Sequence, residues 1–151
     1  AEDFKLATGT WASVGPLRAA LIDALSPFVR DVVIGGADRD DIRILIFPNP
    51  DACRHAAGLP DDTPLEAVLM HDAIRQPLKS KLTELARKST GSSNRVCAAL
   101  LMSELPSLDL GEMTDKGSIN QRAVLSHRKD LVEELYSEPP SPRVITIDRK
   151  A

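Results

Sequence analysis

Two short apolar runs rich in β-branched residues constrain the fold of this chain more than any other feature. The first, residues 29–34, is followed by Gly35 and Gly36, and the second, residues 42–47, is followed by Pro48. Runs of this length and composition, bounded by turn residues, are typical of β-strands. Only a short acidic turn separates them, so we expect the two strands to pair as an antiparallel hairpin.

Helical periodicity surrounds these strands. Apolar residues recur every three or four positions in residues 17–25 and again in residues 64–88, where Pro77 should kink the helix or divide it in two. A third apolar run, residues 96–102, predicts a central strand, and residues 144–147 predict a last strand at an edge.

Residues 3–14 alternate loosely around Gly9 and predict two short strands joined by a turn. The resulting mixture of helices and strands predicts an α+β fold. We expect a small mixed or antiparallel sheet with packed helices and an N-terminal β-hairpin after a hinge.

Composition excludes several classes of protein. The chain has 151 residues, 42% of them hydrophobic, which favours a single globular domain. Its net charge of −3 and the lack of a basic cluster argue against a nucleic-acid surface. No apolar run approaches the ~20 residues of a membrane span, and we expect a cytoplasmic protein with reduced cysteines. The histidines are scattered, without metal-ligand spacing, so no metal site is expected; they are His55, His71 and His127.

The stretch with the clearest chemical potential is residues 114–122, Thr-Asp-Lys-Gly-Ser-Ile-Asn-Gln-Arg. It is a flexible turn that carries Lys116 and leads directly into a predicted helix. Ser118 and Gln121 have the spacing of a capping box for that helix. A cation on such a turn is suited to reach phosphate or carboxylate oxygens. A solvated lysine in a surface loop is the alternative interpretation.

This stretch resembles the C-terminal lysine motif of the adenylate-forming acyl-CoA synthetases. The matching residues are Thr114, Gly117, Ile119 and Arg122. Ser118 stands where the lysine of the family pattern follows the glycine, and Lys116 stands one residue before that glycine. The resemblance implies that Lys116 is the catalytic cation, with a shifted register as the open alternative.

The first residues of the chain resemble another part of the same family. Residues 2–18 are similar to its hinge and the strand–turn–strand that follows. In that resemblance Glu2 takes the hinge position, and Thr8, Gly9 and Thr10 form the loop that lines the path of coenzyme A. The amino-acid sequences of both stretches are most similar to those of bacterial feruloyl-CoA synthases. The resemblance spans residues 2 to about 136.

The resemblance implies that residues 1–151 are a single, mobile C-terminal domain of a ligase. A large N-terminal domain, outside this chain, would be its partner and would bind ATP and an acyl or aryl carboxylate. The full-length enzyme would use ATP and coenzyme A as substrates with Mg²⁺, and we expect none of them bound to this chain alone. The acyl substrate stays open because its pocket would lie in the other domain.

A different class of function is also compatible with these residues. The chain is then a small α+β binding or oligomerisation module without catalysis. Its hairpin edge and its last strand would offer pairing edges to a partner.

Overall fold

The computed structural model describes residues 3–147 as a four-stranded sheet with helices on both faces and a separate short hairpin. The predicted hinge residue Glu2 lies outside the described residues. In chain order the elements are β1 (Phe4–Lys5), β2 (Trp11–Ala12), α1 (Val14–Ala24), β3 (Val29–Gly35), β4 (Ile42–Pro48), α2 (Pro50–Ala57), α3 (Leu65–Leu69), α4 (Asp72–Lys88), β5 (Val96–Leu101), α5 (Gln121–His127), α6 (Lys129–Leu135) and β6 (Val144–Thr146).

The sheet confirms the predicted α+β fold. Its strand order is β3-β4-β5-β6, with β3–β4 and β5–β6 antiparallel and β4–β5 parallel. The third apolar run is therefore an interior strand and the last run an edge strand, as expected. β1 and β2 pair with each other as the predicted N-terminal hairpin.

Alternation along the strands divides the core between the two faces of the sheet. Ile44 and Ile46 face a large cluster built with α1 to α4, while Leu45 and Phe47 face a smaller one built with α5 and α6. Successive side chains of a strand point to opposite faces, so strands apolar at every position require helices on both sides.

The outer edge of β3 is covered by side chains and not by another strand. The Gln121 side-chain amide donates to the Val32 carbonyl at 3.2 Å and accepts from the Ile34 amide at 2.9 Å. The Asp31 carboxylate accepts from the Val32 amide at 2.8 Å and is itself paired with Arg18. The amide of Gln121 thus fastens the start of α5 to the sheet.

The expectation that the helix divides at Pro77 is wrong. Pro77 lies inside α4, and the helical segment divides earlier, between Leu69 and Asp72. His71 has an extended backbone there, and its Nδ1 caps α4 by accepting from the Ala73 amide at 3.1 Å. Pro77 is near the start of a 17-residue helix packed on the sheet, so the loss of one backbone hydrogen bond is tolerated. Met70, predicted on the apolar face, is 47% exposed at this break.

The predicted capping box is also wrong. The N-cap of α5 is Asn120, whose side chain accepts from the Ala123 amide, and the side chain of Gln121 is turned to β3 instead. Ser118 lies in the preceding turn. The single helix expected after this turn is two short helices, α5 and α6, which meet at Arg128.

Candidate functional site

A buried ion pair between Glu112 and Arg128 supports the segment that follows β5. Arg128 donates from Nε to Glu112 Oε2 at 2.9 Å and from Nη2 to Glu112 Oε1 at 2.8 Å. The Glu112 side chain is 1% exposed. Burial raises the pKa of Glu112, but its hydrogen bonds with Arg128 and the Ser107 amide and the positive charge of Arg128 outweigh burial, and the pKa lies below the ordinary glutamate value.

The same arginine fixes the loop between β5 and Glu112. We name residues 103–111 the leucine loop, because it exposes Leu105, Leu108 and Leu110. Arg128 donates to the Glu104 carbonyl at 2.7 Å and to the Leu105 carbonyl at 3.1 Å. The guanidinium also lies over the ring of Phe47. One side chain therefore joins the loop, Glu112 and the sheet.

The predicted catalytic lysine lies on a tight turn directly after Glu112, which we name the lysine hairpin, residues 113–119. Met113 and Ile119 bridge its base in antiparallel fashion, and the Thr114 amide donates to the Ser118 carbonyl at 2.9 Å. Gly117 has φ +86°, a left-handed conformation that favours glycine. Lys116 itself is exposed at the tip.

The remaining motif residues surround this turn. Thr114 closes it, because its hydroxyl accepts from the Ser118 amide at 3.1 Å. Arg122 is exposed in the first turn of α5, immediately after the hairpin. The base is tied to the ion pair because the Asn120 amide donates to the Glu112 carbonyl at 2.9 Å. The structure thus places Thr114, Lys116, Gly117, Ser118 and Arg122 in one compact unit.

The second predicted loop is the tip of the N-terminal hairpin. Thr8, Gly9 and Thr10 are exposed, Gly9 has φ +90°, and the Thr8 hydroxyl donates to the Thr10 hydroxyl at 3.1 Å. The backbone closes below them through the Leu6 amide, which donates to the Thr10 carbonyl at 2.9 Å.

The N-terminal hairpin rests on the turn between β3 and β4. The Ala7 amide donates to the Arg39 carbonyl at 2.8 Å, and the Asp38 amide donates to the Lys5 carbonyl at 3.0 Å. Gly36 permits this approach, because a Cβ atom there would lie 3.0 Å from Phe4 Cε1 and 3.2 Å from the Asp41 carbonyl oxygen. The contact thus consists of backbone hydrogen bonds and of close packing that the absence of a side chain at Gly36 permits.

The two predicted loops are not bonded to each other. Within residues 3–147, no hydrogen bond joins the lysine hairpin to Thr8–Thr10. A groove of about 340 Å³ lies between the N-terminal hairpin and the helices that follow the lysine hairpin. Phe4, Ile34, Leu125 and Val132 line it with apolar surface. Its charged lining is Lys129 and an ion pair between Arg39 and Glu133.

Sequence reasoning missed Glu112, Arg128 and Gly36. Helical periodicity contains a signal for Arg128, which follows the buried Val124 by four residues and so falls on the buried face of the helical run. A charged side chain on that face requires a buried partner. Nothing local to the sequence identifies Glu112 as that partner, since the two are sixteen residues apart.

The described residues show no metal-binding group and no membrane-spanning helix. Within residues 3–147, no three His, Cys, Asp or Glu side chains are grouped so that they could hold a metal ion. In the same range, no helix is long and apolar enough to cross a membrane.

The fold matches adenylation domains of carboxylic acid reductases. A structure from Segniliparus rugosus, an adenylation–carrier didomain in complex with AMP, has a TM-score of 0.66 and 20% identity over 91% of this chain. The adenylation domain from the same organism, with AMP and a co-purified carboxylic acid, has a TM-score of 0.66 and 20% identity over 90% of this chain. The adenylation domain of a reductase from Mycobacterium chelonae has a TM-score of 0.64 and 21% identity over 89%.

The family is shown by the sequence itself. Residues 4–139 match the model of the AMP-binding enzyme C-terminal domain, and the chain belongs to that family. It spans only 18–20% of the length of the reductase structures it matches. Comparison with curated proteins gave no significant match.

Proposed function

We propose that this chain is the mobile C-terminal domain of an ATP-dependent ligase that forms an acyl-adenylate and then an acyl-CoA thioester. The observation that carries the proposal is the lysine hairpin, which presents Lys116 to solvent while its base is fixed to a buried ion pair. The family assignment supports the adenylate-forming part of this function.

The proposed reaction has two steps, and the chain would serve each with a different loop. In the first, a carboxylate oxygen attacks the α-phosphorus of ATP, and the bond to pyrophosphate breaks. In the second, the thiol of coenzyme A loses its proton and attacks the acyl carbon, and AMP leaves.

Lys116 would act in the first step. Negative charge is distributed over carboxylate and phosphate oxygens as the new bond forms, and a cation held at that position lowers the barrier. A rigid base and an exposed tip suit this role, because the ammonium can enter a site on another domain without distortion of its own fold. Thr114 and Gly117 maintain the turn, and Arg122 adds a second cation next to it.

The N-terminal hairpin would act in the second step. Thr8, Gly9 and Thr10 form a small, exposed tip that can lie along the pantetheine arm of coenzyme A, and the missing side chain of Gly9 leaves room for it. Exchange of the two loops at one active site requires rotation of the whole domain, for which Glu2 is the proposed hinge. Mg²⁺ would accompany ATP in the full-length enzyme. The described part of this chain holds no group of three His, Cys, Asp or Glu side chains that could bind it.

The proposed acid is an aryl or arylpropenoic acid, as in feruloyl-CoA synthases, and the proposed location is the cytoplasm. The acid rests on the resemblance of residues 2–18 and 114–122, and the location rests on the two cysteines, which we expect to be reduced. The acyl pocket and most of the ATP pocket would belong to the large N-terminal domain.

The decisive test is Lys116→Ala in the full-length enzyme, with each half-reaction measured in a single turnover. We expect adenylate formation to slow about 100-fold, because a cation that stabilises developing charge contributes about that much. Thioester formation from a supplied acyl-adenylate should keep its rate. Lys79→Ala is the matched control, since it removes an exposed lysine from α4 and should change neither step.

Three other outcomes would each change the proposal. Equal slowing of both steps would remove Lys116 from the first-step role. Recovery of adenylate formation when Ser118→Lys is added to Lys116→Ala would show that the turn tolerates the shifted register. Absence of adenylate formation in the unmodified enzyme would favour the non-catalytic binding or oligomerisation module.

A further inference from the structure

We infer that the leucine loop is the surface on which the large domain docks while Lys116 enters the nucleotide site. This inference rests on the proposed function and adds to it the residues that hold the two domains together in the first step. Its partner is the remaining polypeptide of the same enzyme, with an apolar patch that complements the three leucines.

The loop exposes more apolar surface than its own fold requires. Leu105 is 39% exposed, Leu108 54% and Leu110 58%, all within six residues of chain. Single exposed leucines are common on protein surfaces, but a group of large apolar side chains marks an interaction site. Burial of such side chains against a partner would favour association by roughly 25 cal/mol for each Å² removed from water.

Polar contacts, and not the leucines, give the loop its shape. The Ser107 amide donates to Glu112 Oε1 at 3.0 Å, and the Leu110 amide donates to the Ser107 hydroxyl at 3.1 Å. The Gly111 amide donates to the Leu108 carbonyl at 3.1 Å, and Gly111 has φ +73°. The leucine side chains are therefore presented outward by a loop that is already ordered before a partner binds, which lowers the entropic cost of docking.

The identity of the partner follows from the shared anchor. Glu112 accepts hydrogen bonds from the leucine loop through its carboxylate and from the base of the lysine hairpin through its carbonyl oxygen. The loop and the hairpin are thus both anchored on Glu112. The partner that receives the tip of the lysine hairpin is therefore the candidate to cover the leucine loop as well. The reductase structures of the same fold are about five times longer than this chain, so a large body of that kind accompanies this domain in them.

The test is the triple variant Leu105→Gln/Leu108→Gln/Leu110→Gln in the full-length enzyme. We expect adenylate formation to fall at least about tenfold, since the loss of a desolvated apolar anchor typically has an effect of this size. Thioester formation from a supplied adenylate should be unchanged. Replacement of the same leucines by methionine should retain the first step, which a purely structural role of the loop sequence would not predict.

Met70→Gln is the matched control. Met70 is 47% exposed at the break before α4, and its replacement removes a similar apolar side chain elsewhere on the surface. It should leave both half-reactions unchanged. Slowing of the first step by Met70→Gln to the same extent would overturn the inference.

Hydrogen exchange gives a readout that does not depend on turnover. In the full-length enzyme, amides of residues 105–111 should exchange more slowly than in the 151-residue chain alone. A non-hydrolysable acyl-adenylate analogue should slow them further. If exchange at these amides is the same in both proteins and with the analogue, the leucine loop is not the docking surface.

The two hypotheses fail in different ways. Slowing of adenylate formation by Lys116→Ala but not by the triple variant would overturn the docking surface and leave the proposed function standing. If Lys116→Ala and the triple variant both slow adenylate formation but hydrogen exchange in residues 105–111 is unaltered, the docking surface is again overturned and the proposed function stands. An unmodified enzyme that forms no adenylate would overturn the proposed function. Self-association of the 151-residue chain in sedimentation, abolished by the triple variant, would assign the surface to a second copy and overturn the inference.

Discussion

The lysine hairpin and the N-terminal hairpin are both exposed turns, but they are attached to the domain by different physical means. The base of the lysine hairpin is bonded to a residue whose carboxylate is buried and paired with Arg128. The N-terminal hairpin is attached by backbone hydrogen bonds and by close contact over Gly36. Both attachments use backbone hydrogen bonds, but the first ends on a residue held in place by an ion pair, whereas the second requires close contact over a glycine. The two proposed half-reactions should therefore respond separately to mutation and to pH.

Removal of Arg128 should lower stability more than any other change considered. The leucine loop and the lysine hairpin should be affected first. Arg128→Ala leaves the buried Glu112 carboxylate without its partner, which typically lowers the free energy of unfolding by about 3–5 kcal/mol. Urea unfolding of the 151-residue chain measures the loss, and hydrogen exchange locates it. Exchange should accelerate in residues 103–119 before the N-terminal hairpin is affected.

Arg143→Ala is the control for this prediction. Arg143 pairs with Glu134, but 47% of its side chain is exposed. Loss of such a pair should lower the free energy of unfolding by less than about 1 kcal/mol. Equal losses in the two variants would contradict the charge-dependent attachment.

Acid should weaken the anchor of the lysine hairpin, because protonation of Glu112 removes its ion pair with Arg128. The effect should be smaller than that of Arg128→Ala, because a protonated carboxyl still forms hydrogen bonds. The folded-state pKa of Glu112 lies below the ordinary glutamate value, so its stabilisation is present above that ordinary value and is lost as pH falls through the folded pKa. The chemical shift of the Ser107 amide, which donates to Glu112, should report this protonation in nuclear magnetic resonance spectra, with a midpoint below the ordinary glutamate pKa. Glu112→Gln should abolish this transition.

The N-terminal hairpin should instead be sensitive to added volume. Gly36→Ala places a Cβ atom 3.2 Å from the Asp41 carbonyl oxygen, whereas at Gly9 nothing lies within 4 Å. Both changes strain a backbone with positive φ, but Gly36→Ala adds overpacking of about 1–3 kcal/mol. Trp11 is the single tryptophan and lies in β2, so its fluorescence reports on the hairpin. A spectrum unchanged by Gly36→Ala would contradict the shape-dependent attachment.

The smallest expected effect concerns the cap of α5. Asn120→Ala removes the bond from the Ala123 amide at 3.2 Å and should lower the free energy of unfolding by about 1 kcal/mol. Asn49→Ala, which removes the equivalent bond from α2, should cost a similar amount. Only Asn120→Ala should also slow adenylate formation in the full-length enzyme. The same slowing by Asn49→Ala would mean that stability, and not the position of Lys116, sets that rate.

The strands could be predicted from the sequence because each is a short apolar run with turn residues at its ends. The helix boundaries were less predictable. A proline usually ends a helix, yet Pro77 lies within α4 because packing of Ile74, Leu78 and Leu82 on the sheet outweighs one missing hydrogen bond.

The candidate site was predictable only in part, for a physical reason. A turn is visible in the sequence because Gly and Asp have local preferences, which is why the position of Lys116 on an exposed turn was predicted and is confirmed. The support beneath it depends on contacts between distant residues. Gln121 has the spacing of a capping residue, but its partners are Val32 and Ile34, almost ninety residues away. The role of Lys116 in catalysis stays a prediction.

The covered edge of β3 has a consequence for the behaviour of the protein in a crowded solution. Exposed strand edges can pair with strands of other chains. With Gln121 and Asp31 bonded to Val32 and Ile34, these groups are not available to template a foreign strand. Gln121, at the start of the helix that follows Lys116, thus occupies edge groups of β3 that another strand would otherwise bind.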